Sequence, residues 1–167
     1  MKLNIGSGQK RLEHYQNIDK FPSELNDIYG DLDQKIDLPD ACADEIMLDN
    51  VIEHVESVVH AIKEVRRLLK IGGVVHIYTP HFTSQSSWRD PTHRHHLSYF
   101  SFDMFCRTKN AHYLGGKLFE IVEKKLSFGG GLSMLGRLIF KISPEAYEKK
   151  FCYIFPASTL YIKLKAI

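Results

Sequence analysis

The chain has 167 residues, 44% of them apolar and 25% charged, with a formal net charge of +2. That length and composition suit a globular fold with a buried core and exclude a disordered or fibrous chain. No apolar run approaches the length that spans a bilayer and no basic-then-apolar leader opens the sequence, so a cytoplasmic protein without membrane association is expected.

Cys42, Cys106 and Cys152 are an odd number at wide spacing and form neither a disulfide framework nor a CxxC metal site, so they read as reduced structural thiols. Residues 1–116 hold 13 Lys+Arg against 16 Asp+Glu, whereas 117–167 hold 9 against 4. The C-terminal cations are scattered and do not form a stripe with interleaved aromatics, so no nucleic-acid partner is expected.

The first predicted element is a strand through Leu3 and Ile5, followed at once by Gly6-Ser7-Gly8. Such a turn brings backbone amides close to a ligand without a Cβ in the way. Asp19 closes the next apolar run, and a carboxylate at the tip of the neighbouring strand is placed to accept from both hydroxyls of a ribose. Arg11 stands where a dinucleotide fingerprint needs its third glycine, and Lys10 lacks the spacing of a P-loop, so neither NAD nor ATP is expected. The same turn could also close with no ligand, and the segments downstream bear on that choice.

Only QKRLEHYQNI separates Gly8 from Asp19, too few residues for an ordinary parallel crossover with its helix. Ile28-Tyr29 reads as a very short strand and Asp44–Leu48 as the next. Asn50 and Glu53 have capping-box spacing. From Ser57 the apolar spacing of Val58, Ile62, Val65 and Leu69 predicts an amphipathic helix, with Gly72-Gly73 as its stop. Val74–Tyr78 is a fourth long-range strand, ended by Thr79-Pro80. Residues 81–100 break this rhythm with four histidines, Trp88 and Asp90, in the position after a strand's carboxyl end where open α/β sheets bind ligands. A short capped helix is expected over Ser101–Arg107, strands over Phe119–Phe128 and Ser158–Leu164, and a helix over LSMLGRLIFKI. On that helix Leu132, Leu135, Leu138, Ile139 and Ile142 share one face, expected to cover the sheet edge or form a homodimer contact. No linker divides the chain, so one domain over 1–167 is expected, with a cofactor half (1–80) and a substrate-side half (81–167).

The series LNIGSG, NID, GDLD, LPDACADEIMLDNVIEHV and EVRRLLKIGGVVHIYTP resembles a small class I S-adenosylmethionine-dependent methyltransferase, of the methyltransferase type 11 group often found among bacterial sugar and surface-polysaccharide enzymes. The resemblance covers about residues 2–80. It implies an α/β, Rossmann-like three-layer sandwich with a mostly parallel seven-stranded sheet, an antiparallel last strand at Ser158–Leu164, and here a reduced first helix. It implies S-adenosylmethionine as cofactor. Gly6, Ser7 and Gly8 match the loop under the methionine part, and Asp19 the acid on the ribose. Asp31 and Leu32 match the acidic-apolar pair at the adenine, and Asp49 and Asn50 the lining of the cofactor's other side. Glu53-His54 matches an EH pair that is often structural in the family. Asn4 stands where many members carry an acid under the cofactor's amino group, which leaves backbone carbonyls to hold that group.

Methyl transfer from a sulfonium is an in-line displacement in which alignment and a dry site do most of the work. An oxygen acceptor on a small molecule or saccharide also needs a base, and histidine is poised near neutral pH. His93 is the first choice, with Asp90 three residues before it as orienter, and His81 the second. No metal site is assigned, since HRHH in a surface loop is more often solvated than ligating.

Overall fold

The computed structural model describes residues 1–108 and 114–167. Seven strands form one sheet: β1 (Lys2–Ile5), β2 (Gln16–Asp19), β3 (Ile28–Tyr29), β4 (Ala43–Asp49), β5 (Leu69–Pro80), β6 (Phe119–Phe128) and β7 (Ala157–Ala166). Their spatial order is β3-β2-β1-β4-β5-β7-β6. The first five pair in parallel, and β7 runs antiparallel to both β5 and β6. This is the Rossmann-like architecture that the resemblance implies. Leu3, Ile5, Ile18, Ile46, Leu48, Val75 and Ile77 line one face of the sheet and are fully buried, whereas Met47, His76 and Tyr78 on the other face are half-buried. The chain leaves β1 in one direction for β2 and returns on the other side for β4, so the carboxyl ends of β1 and β4 open a crevice at the point where the strand order reverses.

The expected reduction of the first crossover goes to completion: turns alone join β1 to β2. Two buried asparagines take over the hydrogen bonding a helix would provide. Asn4 donates through Nδ2 to Lys10 O and to Asn17 Oδ1, both at 2.9 Å. Asn17 Oδ1 also accepts from the Leu12 amide at 2.9 Å, and its Nδ2 donates to Tyr15 O at 3.1 Å. The loop's polar backbone groups are thereby paired without a ladder of their own.

Helix α1 (Val58–Leu68) starts where its sequence predicts, with the Ser57 side chain accepting from the His60 amide. It buries Ala61, Ile62, Val65 and Leu68 against the sheet. It ends at Leu68 and not at Gly72-Gly73, because the chain turns straight into β5 at Leu69. Between the pairs Ala43↔Leu69 and Glu45↔Val74, β5 advances five residues while β4 advances two, so Lys70–Gly73 bulge outward. The helix also fixes the loop before β4. Glu64 accepts from the Ile36 amide at 2.8 Å and from Arg67 at 2.7 Å, and Arg67 reaches Leu38 O and Asp40. Burial opposes the charge on Glu64, but Arg67 and the Ile36 amide outweigh it, so its carboxyl sits below the usual range.

Beyond β5 the chain forms α2 (Gln85–Arg89) and, where a short capped helix is expected, a 3-10 helix (Ser101–Cys106) that has no side-chain cap. Lys124 on β6 holds that turn through Asp103 at 2.6 Å. Helix α3 (Ser133–Ile142) is followed by α4 (Pro144–Ala146), which runs on as a π-helical turn (Tyr147–Phe151). The face of α3 that meets the sheet is not its leucine row. Contact runs through Gly136, Ile139 and Phe140, and a Cβ on Gly136 would lie 2.7 Å from the Phe155 Cβ, so the glycine allows the close approach. Leu132, Leu135, Leu138 and Ile142 are exposed. Among the described residues no helix is long and apolar enough to cross a membrane.

Candidate active site

At the crevice lies a cavity of about 1000 Å³, bordered by Gly6, Gly8, Asp19, Asp31, Leu32 and Asn50 and also by His54, Thr92 and Arg94. A shallower recess between Pro22 and Tyr29 sits at the β3 edge and holds none of the residues expected in the site.

The glycine turn is tightly specified. Gly6 has φ +72°, and a Cβ there would stand 2.4 Å from a Val51 methyl, so the turn and the segment after β4 close on each other only with glycine. Next to it Gly8 faces open space, which leaves its backbone free for a ligand to approach. The Gly8 amide donates to Asp19 Oδ2 at 2.7 Å and the Phe21 amide to Oδ1 at 2.9 Å. These bonds fix the carboxylate at the end of β2. Each of its oxygens keeps a further lone pair for a hydroxyl donor.

Six of the eight residues expected around the cofactor border the cavity: Gly6, Gly8, Asp19, Asp31, Leu32 and Asn50. Ser7 is buried, with its hydroxyl on Asn26, and Asp49 is held by Lys10 at 2.8 Å and by Asn50, so both brace the wall from behind. Asn50 adopts φ 56°, a conformation asparagine tolerates, and its amide donates to Tyr78 O. Asn4 lies behind the glycine turn, holding it to β2.

The three candidates for proton transfer fall in different places. His81 is fully buried, with Nδ1 on Thr83 at 2.7 Å and Nε2 on Glu148 at 3.0 Å; Glu148 also accepts from the Tyr99 amide. Both ring nitrogens are thus committed to bracing the loop. His93 is placed by Nδ1 on Ser87 O at 3.1 Å, with Nε2 3.9 Å from Asp90. His54, which the sequence reading left as structural, borders the cavity instead and meets His93 edge to face at 4.6 Å. Its Nδ1 lies 3.0 Å from Thr92 Oγ1, and Thr92 donates to Asp90 Oδ1 at 2.6 Å. Burial and the neighbouring His93 lower the His54 pKa, while the Thr92 hydroxyl and amide hold Asp90 below the usual carboxylate range.

Beside them is Glu53, only 1% exposed, with neither carboxylate oxygen in a hydrogen bond. Burial pushes its pKa up to about 7, although the nearby Thr79 hydroxyl and its own amide favour the charged form slightly. The capping-box expectation fails here because the Glu53 side chain turns inward. Its carbonyl oxygen accepts from the Arg94 and His95 amides at 2.8 and 3.1 Å and so latches the histidine loop onto the segment after β4. Phe21, Thr92 and Arg94 are site residues that sequence reasoning missed, their only signal being position at a strand end or in the irregular loop, whereas Glu53 and His54 stood out only as the EH pair.

Residues 7–77, less than half of the chain, match the family model described as a methyltransferase domain, from Ser7 in the glycine turn through the Asp19 strand tip and the segment after β4. Over these residues the chain is similar to the methyltransferase domain family. Its fold is similar to that of a SAM-dependent methyltransferase from Archaeoglobus fulgidus, at 20% identity and a TM-score of 0.62, over 98% of this chain and 85% of that one. It is also similar to an S-adenosylmethionine-dependent methyltransferase from Mesorhizobium loti, at 14% identity and a TM-score of 0.59, over 98% and 89% of the two chains. No curated protein matches this chain in sequence. The cleft offers open space at Gly8, a fixed carboxylate with free lone pairs at Asp19, and an apolar wall at Leu32.

Proposed function

We propose that the chain is an S-adenosylmethionine-dependent methyltransferase that alkylates a hydroxyl oxygen of a small-molecule acceptor, in the first instance a saccharide. The observation that carries this reading is the His54–Thr92–Asp90 chain of hydrogen bonds, in which His54 and Thr92 border the cavity. A nitrogen or sulfur acceptor needs little help with its proton at neutral pH, whereas a sugar hydroxyl needs a group to receive it.

In this reading Asp19 holds the ribose, Asp31 and Leu32 border the adenine, and the backbone of Gly6 and Gly8 passes under the methionine part. When bound, S-adenosylmethionine supplies an electrophilic methyl group on a sulfonium. The walls formed by Val51, Leu32 and Val55 exclude water, and Asn50 and Arg94 border the space left for the acceptor. The hydroxyl proton passes to the imidazole and carboxylate cluster, whose Asp90 end is open to solvent with 47% of its side chain exposed. His93 positions His54 through their edge-to-face contact, and His81 keeps the loop's far end in place.

Incubation with methyl-labelled S-adenosylmethionine and a panel of sugar nucleotides, glycosides and hydroxylated metabolites tests the reading. An O-methyl product identified by NMR is expected, and His54→Ala should lower its rate about 10²-fold or more. A product methylated on nitrogen or sulfur would contradict it.

A further inference from the structure

We propose that Glu53, His54 and His93 bind a divalent metal ion of the zinc type in the wall of the cleft, and that the ion takes an oxygen of the acceptor. The three side chains come from two segments, and one ligand atom from each lies within 4.8 Å of the others. Bonds of about 2.0–2.2 Å to a shared ion ask the three atoms to close in slightly, by rotation of side chains whose backbones stay fixed.

Glu53 gives the first reason. A carboxylate that is 1% exposed with neither oxygen hydrogen-bonded has lost its water and gained no partner. Two nitrogen ligands beside it supply what a cation needs to replace that partner. Two histidines and one carboxylate, with positions left open, are also the donor set of many catalytic zinc sites.

The second reason is independent and lies behind the ligands. A metal-binding imidazole usually gives its other ring nitrogen to a carbonyl, hydroxyl or carboxylate, which fixes ring orientation and tautomer. Both imidazoles here do so. His93 donates from Nδ1 to Ser87 O at 3.1 Å, and His54 donates from Nδ1 to Thr92 Oγ1 at 3.0 Å, backed by Asp90. Each ring is left with Nε2 as a lone-pair donor. The Glu53 carbonyl meanwhile holds the Arg94 and His95 amides, so the segments that carry the ligands are tied to each other directly beside them.

The ion's binding stands on these contacts alone, whereas its role rests on the methyl-transfer reading. His54 borders the cavity, so an ion on it can receive the acceptor hydroxyl and acidify it. The proton goes to Asp90, which is not among the three ligands. The oxygen lone pair forms the new O–C bond as the C–S bond breaks, and the sulfur keeps that electron pair as a neutral thioether.

The test uses the whole chain, stripped with chelator and dialysed. Calorimetric titration with Zn²⁺ and visible absorption on titration with Co²⁺ should both give one ion per chain. His93→Ala and Glu53→Gln should each weaken binding at least as much as the roughly 10–100-fold that loss of an outer partner costs. His96→Ala should leave it unchanged, since that ring stacks on Trp88 outside the cluster. S-adenosylhomocysteine is titrated into the same samples. Absence of a bound ion while the nucleoside still binds overturns the metal site, as does equal binding by wild type, His93→Ala and Glu53→Gln. A bound ion with no nucleoside binding supports the metal site and counts only against the methyl-transfer reading. Should Glu53→Gln fail to fold, His93→Ala decides by itself, because its ring is replaced in a loop that its backbone bonds still hold.

Discussion

Asn4 donates from Nδ2 to Asn17 Oδ1 at 2.9 Å, joining β1 to β2 through side chains in a crossover that has no helix. The same amide holds Lys10 O, so the end of the glycine loop and the strand that carries Asp19 hang on one buried residue. That makes Asn4→Asp informative. A carboxylate would face two acceptors and donate to neither. A loss of about 1–3 kcal/mol for each group left unpaired is expected, read as a lower urea midpoint, with weaker cofactor binding as the loop loosens. An Asn4→Asp protein of unchanged midpoint would show that the crossover is held by other contacts.

Gly6→Ala tests the turn itself. Its left-handed conformation costs a residue with a Cβ about 1–2 kcal/mol, and the Val51 clash adds to that. S-adenosylhomocysteine affinity should fall about tenfold or more, on the scale of 1.4 kcal/mol per decade. Adding Val51→Ala should restore part of the loss, because it removes the clash but not the strain. Equal affinities for the single and double variants would mean that Val51 does not press on the turn.

The frame of this fold was legible because its signals are periodic. Leu3, Ile5 and the α1 face repeat at spacings that fix strand and helix, and glycine before an acid marks a strand-end cleft. The helix end at Leu68 was not legible, since a bulge absorbs Lys70–Gly73 and leaves the glycines looking like a stop signal. Which side of α3 meets the sheet was not legible for a related reason: Gly136 packs through its lack of a side chain, which no count of apolar residues registers. The cleft wall at His54 was only half legible. Histidines in a loop announce chemistry, but which of them meets the cavity depends on the latch from the Glu53 carbonyl to Arg94 and His95, a backbone bond between residues about 40 apart.

Glu64 sets an acid limit on stability. Its folded pKa is depressed, so its contribution is full above the unfolded value of about 4.5 and is lost as the pH falls through the folded one. Glu64→Gln should cost about 1–3 kcal/mol at neutral pH, since Arg67 and the Ile36 amide lose their charged partner. The gap between variant and wild type should narrow steadily below pH 4.5. Urea titrations across that range would show it, and a gap independent of pH would remove Glu64 from the acid response.

The outward row of α3 is a second surface of interest. Leu138 is 57% exposed beside Leu132, Leu135 and Ile142. If two copies meet there, sedimentation should give a dimer for wild type and a folded monomer for Leu138→Glu. The same mass for both would leave this face without a role in self-association.

Calorimetric titration of S-adenosylhomocysteine into wild type and Asp19→Ala bears most directly on the cleft as a nucleoside site. One molecule per chain should bind the wild type. The variant should bind about tenfold or more weakly, as loss of a charge-assisted hydrogen bond of roughly 1.5–3 kcal/mol implies. No heat of binding to the wild type, or equal affinity for the two proteins, would contradict the account.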